Sequence, residues 1–330
     1  MNLDQVKIAV LMPNFNNASY LKEAIDSVMS QSYTNFELIF VDDGSTDKSI
    51  EIVKSYDDSR IKLIRKECNS GIVDSLNRGL EEIETKYFIR MDGDDISALN
   101  RFEVLVRYME CHPEVDVCSS AMKYFGASEQ IIEFEKSPAQ NKANLIFGHT
   151  IGHAPSIFRT ELFKKNAIHY EDLFWRIEDY LLFYRFKNLA ETTSIDQVLY
   201  YYRRGEYNAN LELELKKNES FKQIYSLILS DLGLEVTAER LEVHIQLSGR
   251  STPSYSLSDY KKHIKVILSA NENKASFPSA ELKKALNLKM DALYFKLLDR
   301  KKGAFWENVG ILLRKPKLIL YFIGTRRKRI

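Results

Sequence analysis

The chain has 330 residues, of which 45% are hydrophobic and 28% charged, and its formal charge is +1. That length gives one large domain or two ordinary ones with real cores, and the composition excludes a disordered or collagen-like chain. The near-neutral balance argues against a surface built throughout to bind nucleic acid, yet residues 301–330 hold nine Lys and Arg against Glu307, a local +8 on a body of −7.

Short β-rich runs at 6–12, 36–41, 61–65 and 87–91 alternate with helical patterns at 20–31, 49–56 and 71–83; in the first helix Leu21, Ala24, Ile25 and Val28 share one face. This rhythm predicts a parallel, doubly wound sheet, in which ligands collect beyond the carboxyl ends of the strands. The segments after Met12, Val41 and Met91 are therefore where chemistry is expected. From about residue 211 the strand signals give way to helical patterns at 211–232, 236–247, 259–270 and 280–298, separated by loops at 248–258 and 271–279. The simplest partition is an α/β domain over 1–210 followed by a helical region over 211–330. Cys68, Cys111 and Cys118, an odd number without paired short spacing, read as buried thiols in a reducing compartment. The first apolar run is strand-length and stopped by Pro13, so no signal peptide is expected. No window reaches the roughly 18 apolar residues of a spanning helix. A cytoplasmic protein is expected, peripheral at most on the inner face of the membrane.

After the second strand comes Asp42-Asp43-Gly44-Ser45-Thr46-Asp47. Alone it reads as a turn in which Gly44 permits a sharp exit and Ser45 or Thr46 caps the next helix. After the fourth strand comes Asp92-Gly93-Asp94-Asp95. Three acids in four residues repel one another unless a cation or hydrogen-bond donors compensate, and hard oxygen ligands so spaced suit Mg²⁺ or Mn²⁺ on a diphosphate. A solvated acidic turn would have the same composition.

Taken together, Pro13-Asn14-Phe15-Asn16-Asn17, the acids after the second strand, Asn69-Ser70-Gly71, Asn77-Arg78-Gly79 and Ile89-Arg90-Met91-Asp92-Gly93-Asp94-Asp95 stand in the order found in glycosyltransferase family 2, which residues 6–210 resemble. The resemblance implies a GT-A fold, α/β with a Rossmann-like, mostly parallel sheet flanked by helices, and inverting transfer of a sugar from a nucleotide-sugar donor. It implies that Asp43, beside Asp42, meets the nucleotide base, that Phe15 lies near that base with Pro13, Asn14 and Asn16 along the same wall, and that Asn69, Gly71, Asn77 and Arg78 continue the donor site. Asp92 and Asp94, with Gly93 between them, match the family's Asp-x-Asp pair: Asp94 for contact with Mn²⁺ or Mg²⁺, Asp92 for the ribose or the metal. The chemistry agrees, because a leaving nucleoside diphosphate concentrates negative charge that a divalent cation stabilises.

Trp175-Arg176-Ile177-Glu178-Asp179 resembles the family's Glu-Asp motif at a helix start. It implies Asp179 as the general base and Glu178 as its neighbour in orientation or acceptor contact, although an Asp in a first helical turn also simply complements the helix dipole. His153 and Trp175 are candidate acceptor contacts, and His153 serves equally well as a hydrogen-bonded loop residue. A zinc pair of His149 and His153 is disfavoured, because Gly152 and Pro155 argue against the helix that such ligation needs. One departure stands out: Gly205 occupies the place where many relatives carry a His that closes on the diphosphate. Arg203 and Arg204 are then candidates to bring charge to phosphate, or else pair with Glu206 or solvent.

Within the family the chain looks most like bacterial surface-glycan transferases, among them the lipooligosaccharide β-1,3-N-acetylglucosaminyltransferases and the O-antigen or capsule β-transferases. The expected reaction moves GlcNAc, Glc or Gal from a UDP-sugar to a saccharide or lipid-linked glycan acceptor, with a β-linkage formed and no nucleic-acid partner. The apolar blocks and basic clusters of 311–329 fit an anionic bilayer interface, or a docking helix with a basic end. A nucleotidyltransferase would need a Gly-rich basic loop after the first strand, which Pro13-Asn14-Phe15-Asn16-Asn17 is not. A non-catalytic carbohydrate- or nucleotide-sugar-binding scaffold predicts lost acids, whereas Asp43, Asp92, Asp94 and Asp179 are all present.

Overall fold

The computed structural model describes residues 6–205 and 211–300, and the chain divides into two units, Met1–Ile224 and Tyr225–Ile330. The basic stretch 301–330 lies outside the described residues, as does Glu206, the proposed partner of the arginine pair. In chain order the first unit runs β1 (Ile8–Asn14), α1 (Ala18–Met29), β2 (Phe36–Asp42), α2 (Ser49–Lys54), β3 (Ile61–Arg65), α3 (Ile72–Leu80), β4 (Tyr87–Arg90) and β5 (Ile96–Ser97). It continues with α4 (Arg101–Cys111), β6 (Val117–Gly126), β7 (Gln130–Ile132), α5 (Pro138–Asn144), β8 (Ser156–Arg159), α6 (Thr160–Asn166), α7 (Glu178–Phe186) and β9 (Thr192–Arg204). The helix α8 (Leu211–Asp231) contains the division between the units, which therefore falls later than the sequence partition at 210.

All described strands join one sheet in the order β3-β2-β1-β4-β8-β6-β9-β5, with β7 paired to β6. Every residue of β1 is buried, as an apolar run covered on both faces must be. Leu21, Ala24, Ile25 and Val28 are the buried face of α1, as their spacing requires. With Phe102 and Leu105 of α4 they build the core on one side of the sheet, where Phe36 meets Phe102 edge to face at 5.3 Å. The sheet is mixed rather than mostly parallel. Pairs β1–β2, β2–β3, β1–β4 and β6–β9 are parallel, whereas β8 runs antiparallel to both β4 and β6, and β5 antiparallel to β9. The four-residue β8 is thus the antiparallel strand that joins the parallel β3-β2-β1-β4 half of the sheet to the parallel β6–β9 pair. Register shifts opposite Ser120, Ala121 and Met122 let β9 bend across β6, which carries its far end to the acidic turn after β4.

The second unit holds α9 (Ala238–Ser248), α10 (Leu257–Lys274) and α11 (Ser279–Arg300). Capping sets their starts. Thr237 accepts the Arg240 amide, and Ser256 with Asp259 forms a reciprocal capping box, so α10 begins two residues before the sequence estimate. The cysteines do not all behave as buried thiols: Cys118 in β6 is buried, but Cys68, in the loop before α3, and Cys111, at the end of α4, are exposed.

Gly79 lets α3 lie against β1, since a Cβ there would stand 2.1 Å from Leu11 Cδ1 and 3.1 Å from Val41 Cγ2. Both neighbours are fully buried and have nowhere to move. Gly79→Ala is expected to lower stability by about 1–3 kcal/mol, read from urea unfolding, through overpacking at this contact.

Candidate active site

The carboxyl ends of β1, β2 and β4 open on one cleft of about 510 Å³. Its walls come from Pro13, Asn14, Phe15 and Asn17 after β1, from Asp43 after β2, and from Asn69, Ser70 and Gly71 at the entry of α3. Asp92 and Gly93 after β4 complete one end, and Asp172, Trp175, Arg176 and Glu178 close the other.

The two acids after β2 have separate tasks. Asp42 is fully buried and accepts the Ser45 amide at 2.9 Å and the Asn14 amide group at 3.3 Å, so it holds the turn and does not line the cleft. Asp43 faces the cleft, accepting the Ser70 and Gly71 amides at 2.9 Å each and pairing with Lys66 at 2.6 Å. Gly44 is required here: its φ is +71°, and a Cβ would stand 2.6 Å from the Cys68 carbonyl carbon. Asn16 accepts the Thr46 amide and donates its own amide to Ser45 Oγ, tying the two strand-end loops together from outside the cleft. Phe15 is 42% exposed at the rim. The buried side-chain oxygen of Asn14 has no donor among the described residues.

Beneath the turn after β4, Arg90 pairs with Asp92 at 2.7 Å. Asp95 is buried and fully engaged, accepting the Tyr200 hydroxyl and the Arg203 amide at 2.7 Å each. Burial, then the charges of Asp92 and Asp94, push Asp95 up to about 8, and burial with the Asp92 charge raises Asp94. Ionising all three acids of the turn together is therefore unfavourable, and Asp95 keeps its proton at neutral pH. Among the described residues no group of three or more His, Cys, Asp or Glu could hold a metal ion. Two carboxylates, Asp92 and Asp94, are nevertheless a fitting donor set for Mg²⁺ or Mn²⁺, which take one or two carboxylates and complete their shells with phosphate oxygens and water.

Asp94 itself does not line the cleft, and four other expected donor residues are not brought to it either. Asn77 exchanges hydrogen bonds with the Tyr170 backbone, and Arg78 turns outward to Glu81. The Arg203 guanidinium binds the Asp94 carbonyl and Glu23 and lies against the Tyr20 and Phe125 rings. Arg204 stacks over Tyr124.

At the start of α7, Glu178 lines the cleft, and its buried Oε2 has no partner among the described residues. Burial, reinforced by the Asp179 charge, pushes its carboxyl up to about 7. Asp179 meets His149 Nε2 at 3.2 Å, and His149 Nδ1 lies 2.8 Å from the Ile151 carbonyl. A carbonyl only accepts, so Nδ1 carries a proton, and Nε2 needs the second one to bond Asp179. Burial would raise Asp179, but the charge and hydrogen bond of His149 outweigh it and hold the carboxyl well below the usual range. His153 is not at the cleft. It is buried against the Tyr170 hydroxyl at 2.7 Å, and burial followed by the Arg90 charge pushes it down to about 3, so the ring is neutral. The two histidines therefore serve different partners and no common zinc ion. Nothing in the sequence spacing marked His149 as the partner of an acid 30 residues away, or Tyr200 and Arg101 as supports of the acidic turn.

Residues 9–168 match the family model described as Glycosyl transferase family 2. The chain is 28% identical over 257 residues to glycosyltransferase GlyG of Streptococcus pneumoniae, covering 71% of this chain and 84% of that protein. It is 25% identical over 246 residues to an uncharacterized glycosyltransferase of Haemophilus influenzae, with 69% and 76% covered. Among solved structures it matches S. aureus TarS 1–349 in complex with UDP at a TM-score of 0.59 and 21% identity, over 91% of this chain and 93% of that one. It also matches the mannosyltransferase PcManGT of Pyrobaculum calidifontis, solved with GDP-Man and Mn²⁺, at a TM-score of 0.53 and 15% identity, over 96% and 82%. The fold is thus the GT-A arrangement expected from the sequence, with a helical C-terminal region.

The raised carboxyl of Glu178 has a consequence for stability. A carboxyl that is harder to ionise folded than unfolded stabilises the fold at low pH, and that contribution is lost as pH rises through about 7. Glu178→Gln, which stays neutral, is expected to raise Tm above wild type at pH 8 and to change it little at pH 5. Equal shifts at both pH values would mean that the buried charge carries no penalty.

Proposed function

We propose that this chain, whose residues 9–168 match the family 2 glycosyltransferase model, transfers GlcNAc, Glc or Gal from a UDP-sugar to a saccharide or lipid-linked acceptor of a bacterial surface glycan, with inversion and a β-linkage. The observation that carries this reading is the convergence of Asp43, Asp92 and Glu178 on one cleft from three separate strand and helix ends. A UDP complex of TarS, which has the same fold, supports the choice of nucleotide.

In this reading the uracil lies between Phe15 and the Asp43–Ser70 wall, and the orphaned oxygen of Asn14 accepts from a donor hydroxyl. Asp92 and Asp94 would hold Mn²⁺ or Mg²⁺, which supplies charge neutralisation for the departing diphosphate. PcManGT was solved with Mn²⁺ and its nucleotide sugar, which is consistent with that assignment. The acceptor hydroxyl attacks the anomeric carbon from the face opposite the diphosphate and loses its proton to the Glu178–Asp179 pair. The family resemblance gives the base role to Asp179, while Glu178 is the carboxylate that faces the cleft, and two acids so close titrate as a pair. Among the described residues no helix is long and apolar enough to cross a membrane. Contact with a lipid-borne acceptor would therefore fall to a surface, for which the basic residues of 301–330 are the candidates.

With Mn²⁺ and a panel of UDP-GlcNAc, UDP-Glc and UDP-Gal, one donor is expected to raise Tm and to be slowly hydrolysed to UDP, and a chelator is expected to remove both effects. No response from a folded sample would overturn the donor assignment. Asp179→Asn is expected to reduce transfer by about 10²–10⁴-fold while leaving UDP affinity near wild type; retained turnover would assign the proton to Glu178 alone. If Glu178 takes the proton, kcat/KM in wild type is expected to climb with pH to about 7 and then level, whereas a base at Asp179, already ionised, gives no such rise.

A further inference from the structure

Arg176 is the only Lys, Arg or His among the described residues that line the cleft, in the company of Asp43, Asp92, Asp172 and Glu178. Asp43 is matched by Lys66 and Asp92 by Arg90. Arg176 itself makes no hydrogen bond or ion pair among the described residues, although Asp172 and Glu178 share its cleft. Its guanidinium carbon lies over the ring of the neighbouring Trp175, 5.0 Å from the ring centre. Stacking occupies the face of the guanidinium and leaves its N–H edges free, and those edges form the fork that fits the two oxygens of a phosphate or carboxylate.

The backbone at Arg176 is unusual as well. Its φ is +54°, a left-handed conformation that is strained for a residue with a Cβ. The following residue, Ile177, is 2% exposed and forms the N-cap position of α7, while Arg176 lines the cleft. A strained carrier, an unpaired cation and an aromatic platform coincide two residues before Glu178.

We propose that Trp175 and Arg176 form an acceptor subsite for a sugar bearing a phosphate or carboxylate, with the sugar ring on the indole and the oxyanion in the guanidinium fork. The proposal rests on the reading above, in which the acceptor oxygen lies against Glu178 and Asp179. In that reading the donor's charge would be met at the acidic turn, where Asp92 and Asp94 would hold a divalent cation, which leaves Arg176 for a charge that arrives with the acceptor.

The test uses the full chain carrying Trp306→Phe, which leaves Trp175 as the one indole of the two in the sequence. Its fluorescence is titrated with glucose, glucose 6-phosphate and glucuronate, with and without saturating UDP. At least one of the two anionic sugars is expected to bind ten times or more as tightly as glucose. Arg176→Asn removes the charge with a residue that tolerates positive φ, and is expected to abolish that preference while UDP affinity stays within twofold. Arg176→Lys keeps the charge but not the fork and is expected to fall between. Equal binding of all three sugars by wild type would overturn the subsite. A loss of UDP affinity in Arg176→Asn as large as the loss for the anionic sugars would reassign the guanidinium to the donor phosphates, again overturning it. Failure of wild type to bind UDP would instead bring down the donor reading, and the titrations without UDP would still decide the subsite.

Discussion

Two buried arginines beneath the acidic turn are the condition for everything at the cleft. Asp92, Asp94 and Asp95 follow a strand whose residues are all buried, and carboxylates so placed are tolerated only with opposite charge and hydrogen bonds close by. Arg90 supplies the first charge directly to Asp92. Arg101, fully buried at the start of α4, donates to the Arg90 and Ala154 carbonyls and lies 4.7 Å from the Tyr200 ring centre. Burial pushes it down to about 10, which still leaves it charged at neutral pH. Tyr200 in turn donates to Asp95 and accepts the Asp92 amide. One network therefore fixes the end of β4, the loop before β8 and the far end of β9 around the turn.

A common division of labour follows at each acidic motif. One carboxylate is held by hydrogen bonds away from the cleft and the other lines it. Asp42 holds its turn while Asp43 lines the wall. Asp95 is tied to Tyr200 and the Arg203 amide while Asp92 lines the floor. Asp179 is tied to His149 and the Tyr180 amide while Glu178 lines the far side. The inner acid makes the loop rigid, and rigidity is what a transfer reaction needs from groups that must meet a reacting centre within a fraction of an ångström.

How legible this was depended on the range over which each feature is determined. The strands β1, β2, β3 and β4, with the helices between them, are written as local apolar runs and periodic faces, and their ends carry the motifs, so fold and cleft walls could be read together. The segment from β5 to β8 could not, because β5 has two residues, β8 has four, and β6 holds Ser119 and Ser120 in the buried interior. Such strands exist only by pairing. Arg101 at a helix start reads as a solvated charge, and only the tertiary structure shows that it is wholly enclosed. His149 was visible as a histidine but not as the partner of Asp179, since a contact across 30 residues leaves no local pattern. The same holds for Arg203, whose guanidinium looked available for phosphate and is instead held by Glu23, the Asp94 carbonyl and two rings.

The carboxylate pair at α7 shows what a doubled motif offers over a single acid. A lone exposed Glu loses its proton far below neutral pH and is then too weak a base to assist an alcohol. Placed in a partly buried site beside a second carboxylate, it holds its proton to about 7, provided the neighbour stays ionised. His149 supplies that proviso, because its positive charge keeps Asp179 ionised against the effect of burial. The stacking of His149 on Phe183, with ring centres 5.6 Å apart, and its bond to the Ile151 carbonyl fix the imidazole in place. Three side chains thus act as a graded series, in which a cation holds an anion and the anion raises the proton affinity of the carboxylate that meets the cleft.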